Sequence, residues 1–266
     1  MTPTRIVITG STRGVGLRMA REFLFRGCTV MVSGRTRQAV DSAVAHLKSE
    51  VPKGDVHGQP CDTGIYGQVE ALWIAAVQEL GGVDHWINNA GIGQATAPLW
   101  ELSPEEMEAV IRTDVLGVLY GARVAMRGMA PTGRGMIWFM EGHGSNGRIM
   151  KGHSVYGAAK RSLRYAANAL AVEAMGTGIM IGTLSPGIML TDFTLSRLDR
   201  NDAAAWKRTR AVFNILADTP ETVAAFLVPR ILAANKNGTH IAWLTNAKIM
   251  MRFMTAGFRK RSVMPD

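Results

Sequence analysis

Arg5-Ile6-Val7-Ile8-Thr9-Gly10-Ser11-Thr12-Arg13-Gly14-Val15-Gly16 runs from an apolar segment into three glycines, after which Leu17, Ala20, Phe23 and Leu24 recur at helical spacing. A short apolar run bounded by glycine reads as a buried strand. The glycines therefore stand between a strand and a helix. In that setting backbone can approach a pyrophosphate, and the helix N-terminus offers it amide donors. The spacing is Gly-x-x-x-Gly-x-Gly rather than the commoner Gly-x-Gly-x-x-Gly. A glycine loop alone can be a mere turn; the flanking strand and helix argue for a dinucleotide cradle made of Gly10, Ser11, Thr12, Arg13, Gly14, Val15 and Gly16.

The same alternation continues along the chain. Strands are expected at Thr29–Ser33, Val56–Cys61, His85–Ile87, Met136–Met140, Ile179–Ser185 and Ile241–Leu244. Helices are expected from about Thr36 to Pro52, from Tyr66 to Leu80, from Ser103-Pro104-Glu105-Glu106 to about Met129, after Ser154 as a cap, and from Thr219-Pro220-Glu221 through Leu232. Strands alternating with helices predict one α/β domain, a Rossmann-type doubly wound parallel sheet of about seven strands with helices on both faces. It spans residues 1–245, includes a substrate loop at 188–218, and is followed by a basic amphipathic tail at 246–266. No repeat and no linker is evident.

Composition narrows the class. The 266 residues are 47% hydrophobic and 19% charged, which suits a globular protein with a sizeable core. Two cysteines, Cys28 and Cys61, cannot form a disulfide framework and read as buried thiols in a reducing compartment. No apolar run approaches the length of a membrane span, and the N-terminus passes straight into a strand without a signal peptide. A cytoplasmic protein is expected. The net charge of +9 is mostly dispersed, with no nucleic-acid motif, and the six histidines show no metal spacing, so neither nucleic acid nor metal is expected.

After the second strand the chain reads Ser33-Gly34-Arg35-Thr36-Arg37, without the acid that in NAD enzymes bonds the adenosine ribose. Arg13 and Arg35 could hold a 2′-phosphate instead, which favours NADP(H), though two solvated arginines would look the same. Further on, Tyr156-Gly157-Ala158-Ala159-Lys160 sets a tyrosine and a lysine on one helix face. An ammonium beside a phenol favours phenolate and makes a general acid usable near neutrality. The spacing alone is weak, since it arises by chance on many helices.

Thr9-Gly10-x-x-x-Gly14-x-Gly16, Asn88-Asn89-Ala90-Gly91, Tyr156-x-x-x-Lys160 and Pro186-Gly187, in this order, resemble the short-chain dehydrogenase/reductase family over nearly the whole chain. The resemblance implies a homo-oligomer, a homodimer or homotetramer, that moves hydride between a nicotinamide and a carbonyl or alcohol. It implies that Tyr156 donates the proton and that Lys160 holds the nicotinamide ribose and tunes the tyrosine. It further implies that Asp62 contacts adenine, that Asn89, Ala90 and Gly91 contact the adenosine ribose region, and that Pro186, Gly187 and Thr191 contact the nicotinamide. Two positions depart from the pattern. The family's carbonyl-polarising serine usually lies about thirteen residues before the tyrosine; here Ser145 lies eleven before it and takes the role, with His143 as the substitute. The family's helix-four asparagine appears as Asp114, which can still hold a water and would stabilise Lys160 as a cation.

Within the family, Gly142-x-Gly144-Ser145, Leu184-Ser185-Pro186-Gly187 with Thr191-Asp192, Asn214-Ile215-Leu216-Ala217 and Leu227-Val228-Pro229 are similar to the chlorophyll(ide) b reductases. That resemblance implies an NADPH-dependent reduction of the 7-formyl group of chlorophyll b, or of a similarly bulky apolar carbonyl compound. The alternatives are a generic ketoreductase or alcohol dehydrogenase on lipid- or sterol-like substrates, and a weakly active NADP-binding regulatory protein. Met189, Met250, Met251 and Met254 fall where the family covers substrate, and core packing would explain them equally. The tail carries Lys248, Arg252, Arg259, Lys260 and Arg261 beside Ile249, Met250, Phe253, Met254 and Phe258 at three- and four-residue spacing. It could lie in an anionic membrane interface, or close the pocket and pack on a partner subunit.

Overall fold

The protein is described from a computed structural model, which describes residues 2–191, 203–258 and 261–264, without the side chains of 203–205. Seven parallel strands form one sheet in the order β3-β2-β1-β4-β5-β6-β7. They are β1 Arg5–Ile8, β2 Thr29–Gly34, β3 Val56–Pro60, β4 His85–Asn88, β5 Gly135–Met140, β6 Ile179–Ser185 and β7 Thr239–Ala242. The order reverses at β1, between β2 on one side and β4 on the other. A crevice opens at such a reversal beyond the carboxyl ends of the strands.

Successive side chains of a strand point to opposite faces, and both faces are covered. On one face Ile6, Ile8, Val30, Val32, Met136 and Trp138 pack on α1 (Gly14–Phe25), α2 (Arg37–Glu50) and the helix Pro220–Ala233. On the other, Val7, Met31, Ile137 and Phe139 pack on α3 (Tyr66–Leu80), α5 (Gly117–Met129) and α6 (Ser154–Glu173). Cys28 and Cys61 are buried free thiols. Burial pushes the Cys61 thiol up to about 12, so it stays protonated and inert. No described helix is long and apolar enough to cross a membrane.

Three expected elements differ. The helix starting at Pro104 is not continuous to Met129: α4 ends at Ile111, a π-helical turn spans Arg112–Leu116, and α5 follows. Ser154 is the first residue of α6 rather than its cap; His153 holds the cap position and makes no capping bond. The last strand begins and ends two residues earlier than expected. Trp243 leaves it to pack edge-on against Phe226, with ring centroids 4.9 Å apart, and to donate Nε1–H to Asp218 at 2.7 Å. Part of the expected substrate loop, 192–202, lies outside the described residues, as do Arg259 and Lys260.

At the amino end of β4, Trp138 Nε1 donates to His85 Nδ1 at 3.2 Å. Burial lowers His85 from 6.5 to about 4, against the pull of Asp84. The unfolded chain then binds the extra proton between those values, so this contribution is intact above pH 6.5 and is lost as pH falls to about 4. Urea titrations from pH 7 to pH 4 should show stability falling by roughly 2–3 kcal/mol from this group. His85→Gln should flatten that part of the curve; an unchanged slope would mean that His85 is not the group responsible.

Candidate active site

The chemistry-bearing residues gather at the carboxyl ends of β4 and β5. Lys160 Nζ stands 3.0 Å from Asp114 Oδ2, with both side chains buried. The same ammonium lies 5.6 Å from the centre of the Tyr156 ring. Burial works against the lysine charge, but the charges of Asp114 and Tyr156 and the Asp114 hydrogen bond outweigh it and hold Lys160 above its ordinary value. Asp114 is aimed by the π-turn, a feature that shifts side-chain direction within a helix and is common at functional sites. Its Oδ1 accepts the Ile92 N–H at 2.7 Å. A Cβ on Gly91 would stand 3.3 Å from both Asp114 Oδ2 and Lys160 Nζ, so a side chain there would crowd the pair.

The loop after β5 covers the phenol. A Cβ on Gly142 would run into the Tyr156 hydroxyl, and one on Gly144 would meet Gly157 of α6. Ser145 is buried, and its Oγ accepts the Gly142 N–H at 3.1 Å, which leaves the hydroxyl hydrogen to be donated. His143 is exposed and lines a separate hollow with Arg148, His153 and Arg161, whose lining includes neither Tyr156 nor Lys160.

The glycine loop is held from two sides. Thr9 Oγ1 accepts the Asn89 and Ala90 N–H groups, each at 3.0 Å. Asn89 Nδ2 donates to the Thr9 and Gly10 carbonyls, each at 2.9 Å. Ser11 is buried; its hydroxyl donates to Ile8 O at 2.7 Å and accepts the Ser33 N–H at 2.9 Å. The Asn89 and Ser11 side chains thus brace the loop. Gly10 has φ +61°, and a Cβ there would stand 2.7 Å from Ala90 Cα. Arg13, at the cap of α1, makes no side-chain capping bond, and the first turn carries no acid, so these amides are left for an anion. A pyrophosphate fits that terminus. Arg13 and Arg35 are exposed, and neither has an ion pair or side-chain hydrogen bond among the described residues. Asp62, half-buried after β3, accepts the Gly64 N–H at 2.9 Å.

On the other flank of the crevice, Gly187 turns the chain at φ +75° after Pro186. Thr191 comes back to the glycine loop, its Cγ2 3.8 Å from where a Cβ on Gly14 would be. This segment is fastened through Asp218, whose N–H donates to Ile188 O and whose carbonyl accepts the Leu190 N–H, each at 3.0 Å. The Asp218 carboxylate takes Arg252 at 2.7 Å and Arg261 at 2.6 Å, and these charges hold it below the usual range against the effect of burial. Lys248 lies 2.7 Å over the Trp243 ring. Three of the tail's basic residues therefore face the domain, while Met250, Phe253, Met254 and Phe258 stay exposed.

Four working residues were not singled out from sequence. Gln94 accepts the Tyr156 N–H at 2.7 Å and donates to Gly152 O at 2.9 Å, so it seats the start of α6. Thr9, Gly142 and Asp218 act through backbone or distant partners. Only Thr9 and Gly142, each inside a quoted motif though given no role there, carried a local signal.

Residues 4–202 match the family model described as short chain dehydrogenase. A chlorophyll(ide) b reductase of Oryza sativa subsp. japonica is 36% identical over 262 residues, covering 95% of this chain and 75% of that protein. A probable chlorophyll(ide) b reductase of Arabidopsis thaliana is 34% identical over 274 residues, covering 97% of this chain and 54% of that protein, so this chain spans about half its length. Both relatives are named as chloroplastic. A solved serine dehydrogenase complexed with NADP+ superposes with a TM-score of 0.74 at 26% identity, covering 89% of this chain and 93% of that one.

Replacing Asp114 tests the buried pair. Asp114→Ala would leave the Lys160 ammonium buried without its counter-charge and should lower stability by about 3–5 kcal/mol in urea unfolding at pH 7. Asp114→Asn keeps an oxygen for the Ile92 N–H and should cost less. An Asp114→Ala variant as stable as the unchanged protein would remove the pair from any structural role.

Proposed function

Because this chain belongs to the short-chain dehydrogenase family, we propose that it is an NADP(H)-dependent reductase of a bulky apolar carbonyl compound, such as the 7-formyl group of chlorophyll b. The observation that carries this reading is the buried Asp114–Lys160–Tyr156 group beside an uncapped helix terminus suited to pyrophosphate. The likeness to chlorophyll(ide) b reductases over nearly the whole chain supports the substrate class.

When bound, NADPH would supply the hydride for the carbonyl carbon, whose π pair would move onto the oxygen. Tyr156 gives its hydroxyl proton to that oxygen. Lys160 then faces the phenolate and offsets its charge, with Asp114 keeping the ammonium in place. Ser145 donates its remaining hydrogen to the carbonyl oxygen, where negative charge develops. Arg13 and Arg35 would hold the 2′-phosphate, the loop Gly10 to Gly16 the pyrophosphate, Asp62 the adenine, Asn89 to Gly91 the adenosine ribose region, and Pro186, Gly187 and Thr191 the nicotinamide.

An apolar substrate suits the exposed tail. Phe253, Met254 and Phe258 offer a face for contact with a bilayer surface from the cytoplasmic side. Tyr165 and Val172 on α6 and Leu116 and Leu119 around α5 are exposed, which suits a homodimer or homotetramer.

With NADPH and chlorophyll b or chlorophyllide b, the purified protein should convert the formyl pigment to its hydroxymethyl product, followed by pigment absorption. Tyr156→Phe should cut turnover at least about a hundredfold and Ser145→Ala roughly ten- to a thousandfold. Near-normal turnover in Tyr156→Phe would sink the acid assignment; a larger loss in His143→Ala than in Ser145→Ala would move the polarising role to the histidine.

Cofactor choice is read separately. Losing one charge-assisted phosphate contact costs about 1.5–3 kcal/mol, so Arg35→Ala should weaken NADPH by about tenfold or more and leave NADH almost unchanged. Equal weakening of both would contradict a 2′-phosphate contact.

A further inference from the structure

The hollow behind the loop Gly142–Ser145 has a volume of about 330 Å³. Arg148, Arg161, His143 and His153 bound it, and no carboxylate lines it among the described residues. The acid closest along the chain, Glu141, is consumed elsewhere: Arg164 Nη2 donates to its Oε2 at 2.9 Å, and Nε stands 2.6 Å from Oε1. Neither Arg148 nor Arg161 has an ion pair among the described residues. Each gives one N–H to a neutral acceptor, Arg148 Nη2 to Asn246 Oδ1 and Arg161 Nη1 to Ser145 O, both at 3.0 Å. These bonds orient the guanidinium groups without neutralising them. The His143 imidazole is held below its ordinary value by the part of it that is covered and by the neighbouring His153 and Arg148.

The hollow is also built. Gly152 O accepts from Gln94 Nε2 at 2.9 Å and from the Ala97 N–H at 3.3 Å, and Asn146 Oδ1 accepts the Arg148 N–H at 3.1 Å. Outside the charges stands an apolar lip, Ile149 at 96% exposure and Met150 at 41%. The same short loop serves both places, since Gly142 lies against the Tyr156 hydroxyl while His143 and Gly144 line the hollow.

We propose that this hollow binds a carboxylate of the substrate, held between Arg148 and Arg161, with the apolar body of the molecule against Ile149 and Met150. Guanidinium forks match carboxylate oxygens, and an uncompensated positive hollow strengthens the contact. The proposal rests on the carbonyl-reductase reading and sharpens it: the preferred substrate is a free acid and not its ester.

Chlorophyllide b, which carries a free propionate, and chlorophyll b, its long-chain ester, separate the two cases on the NADPH-loaded protein. Arg148→Met should raise KM for chlorophyllide b by about ten- to a hundredfold with kcat nearly unchanged, and leave chlorophyll b unaffected. Arg148→Lys should restore part of the loss. Inorganic phosphate should compete with chlorophyllide b only, and this competition should vanish in Arg148→Met. An unchanged KM for the acid, or equal changes for acid and ester, overturns the proposal. So does phosphate that binds by calorimetry without affecting turnover of either pigment, which would make the hollow a site for free anions. If neither pigment is reduced, the reductase reading fails, and fluorescence quenching by each pigment on the NADP+ complex still reads the hollow. Preference for the acid that Arg148→Met abolishes supports the subsite, and absence of that preference overturns it.

Discussion

A lysine ammonium buried in the crevice is the constraint around which the catalytic end is arranged. Taking that charge out of water is tolerable only with a counter-charge at contact distance and hydrogen bonds for the partner. Asp114 supplies the charge, 3.0 Å away. To face inward it needs the π-turn at Arg112–Leu116, and its second oxygen is satisfied by the Ile92 N–H. Gly142 follows from the same crowding, because a side chain there would collide with the Tyr156 hydroxyl, and one at Gly91 would press on the pair. An asparagine at position 114 would hold the lysine by a hydrogen bond alone; the carboxylate adds the charge that outweighs burial and keeps Lys160 protonated.

A second buried acid governs the opposite flank. Asp218 joins Arg252, Arg261 and Trp243 to the backbone of Ile188–Leu190, so the chain's last segment is tied to the strip that ends over the glycine loop at Thr191. With Lys248, Arg252 and Arg261 turned inward, the described part of the tail presents mainly its apolar face outward. The cofactor cleft and the tail are thereby parts of one mechanical unit, although they are distant in sequence.

The positive hollow beside α6 shows the contrary case, in which charge is left uncompensated. Arg148 and Arg161 are steered by neutral oxygens, whereas Arg164, on the same helix as Arg161, is matched to Glu141. Among the described residues the buried charges of Asp114, Lys160, Glu141 and Asp218 are paired, whereas Arg148 and Arg161 stand at the surface. The guanidinium groups around the hollow keep donors to spare, and a ligand anion is the partner that suits them.

Much of this was legible in the residues alone. Alternating apolar strands and amphipathic helices, glycines between β1 and α1, and the Tyr156–Lys160 spacing are local patterns, and local patterns set element type and a parallel sheet and mark Tyr156 as the candidate acid. Helix boundaries at Thr36, Ser103 and Thr219 were readable because capping is chemistry between residues three apart, such as Ser103 Oγ accepting the Glu106 N–H. The interruption of the long helix was not readable, since nothing in Arg112–Leu116 breaks a helix and the partner that Asp114 meets there, Lys160, lies on another helix. Gln94 seating α6, Asn89 bracing the glycine loop, Asp218 holding the tail, and the grouping of His143 with Arg148 and Arg161 all depend on partners brought close only when the sheet closes. Burial decides whether a charge is bound, braced or left open, and burial exists only in the folded chain.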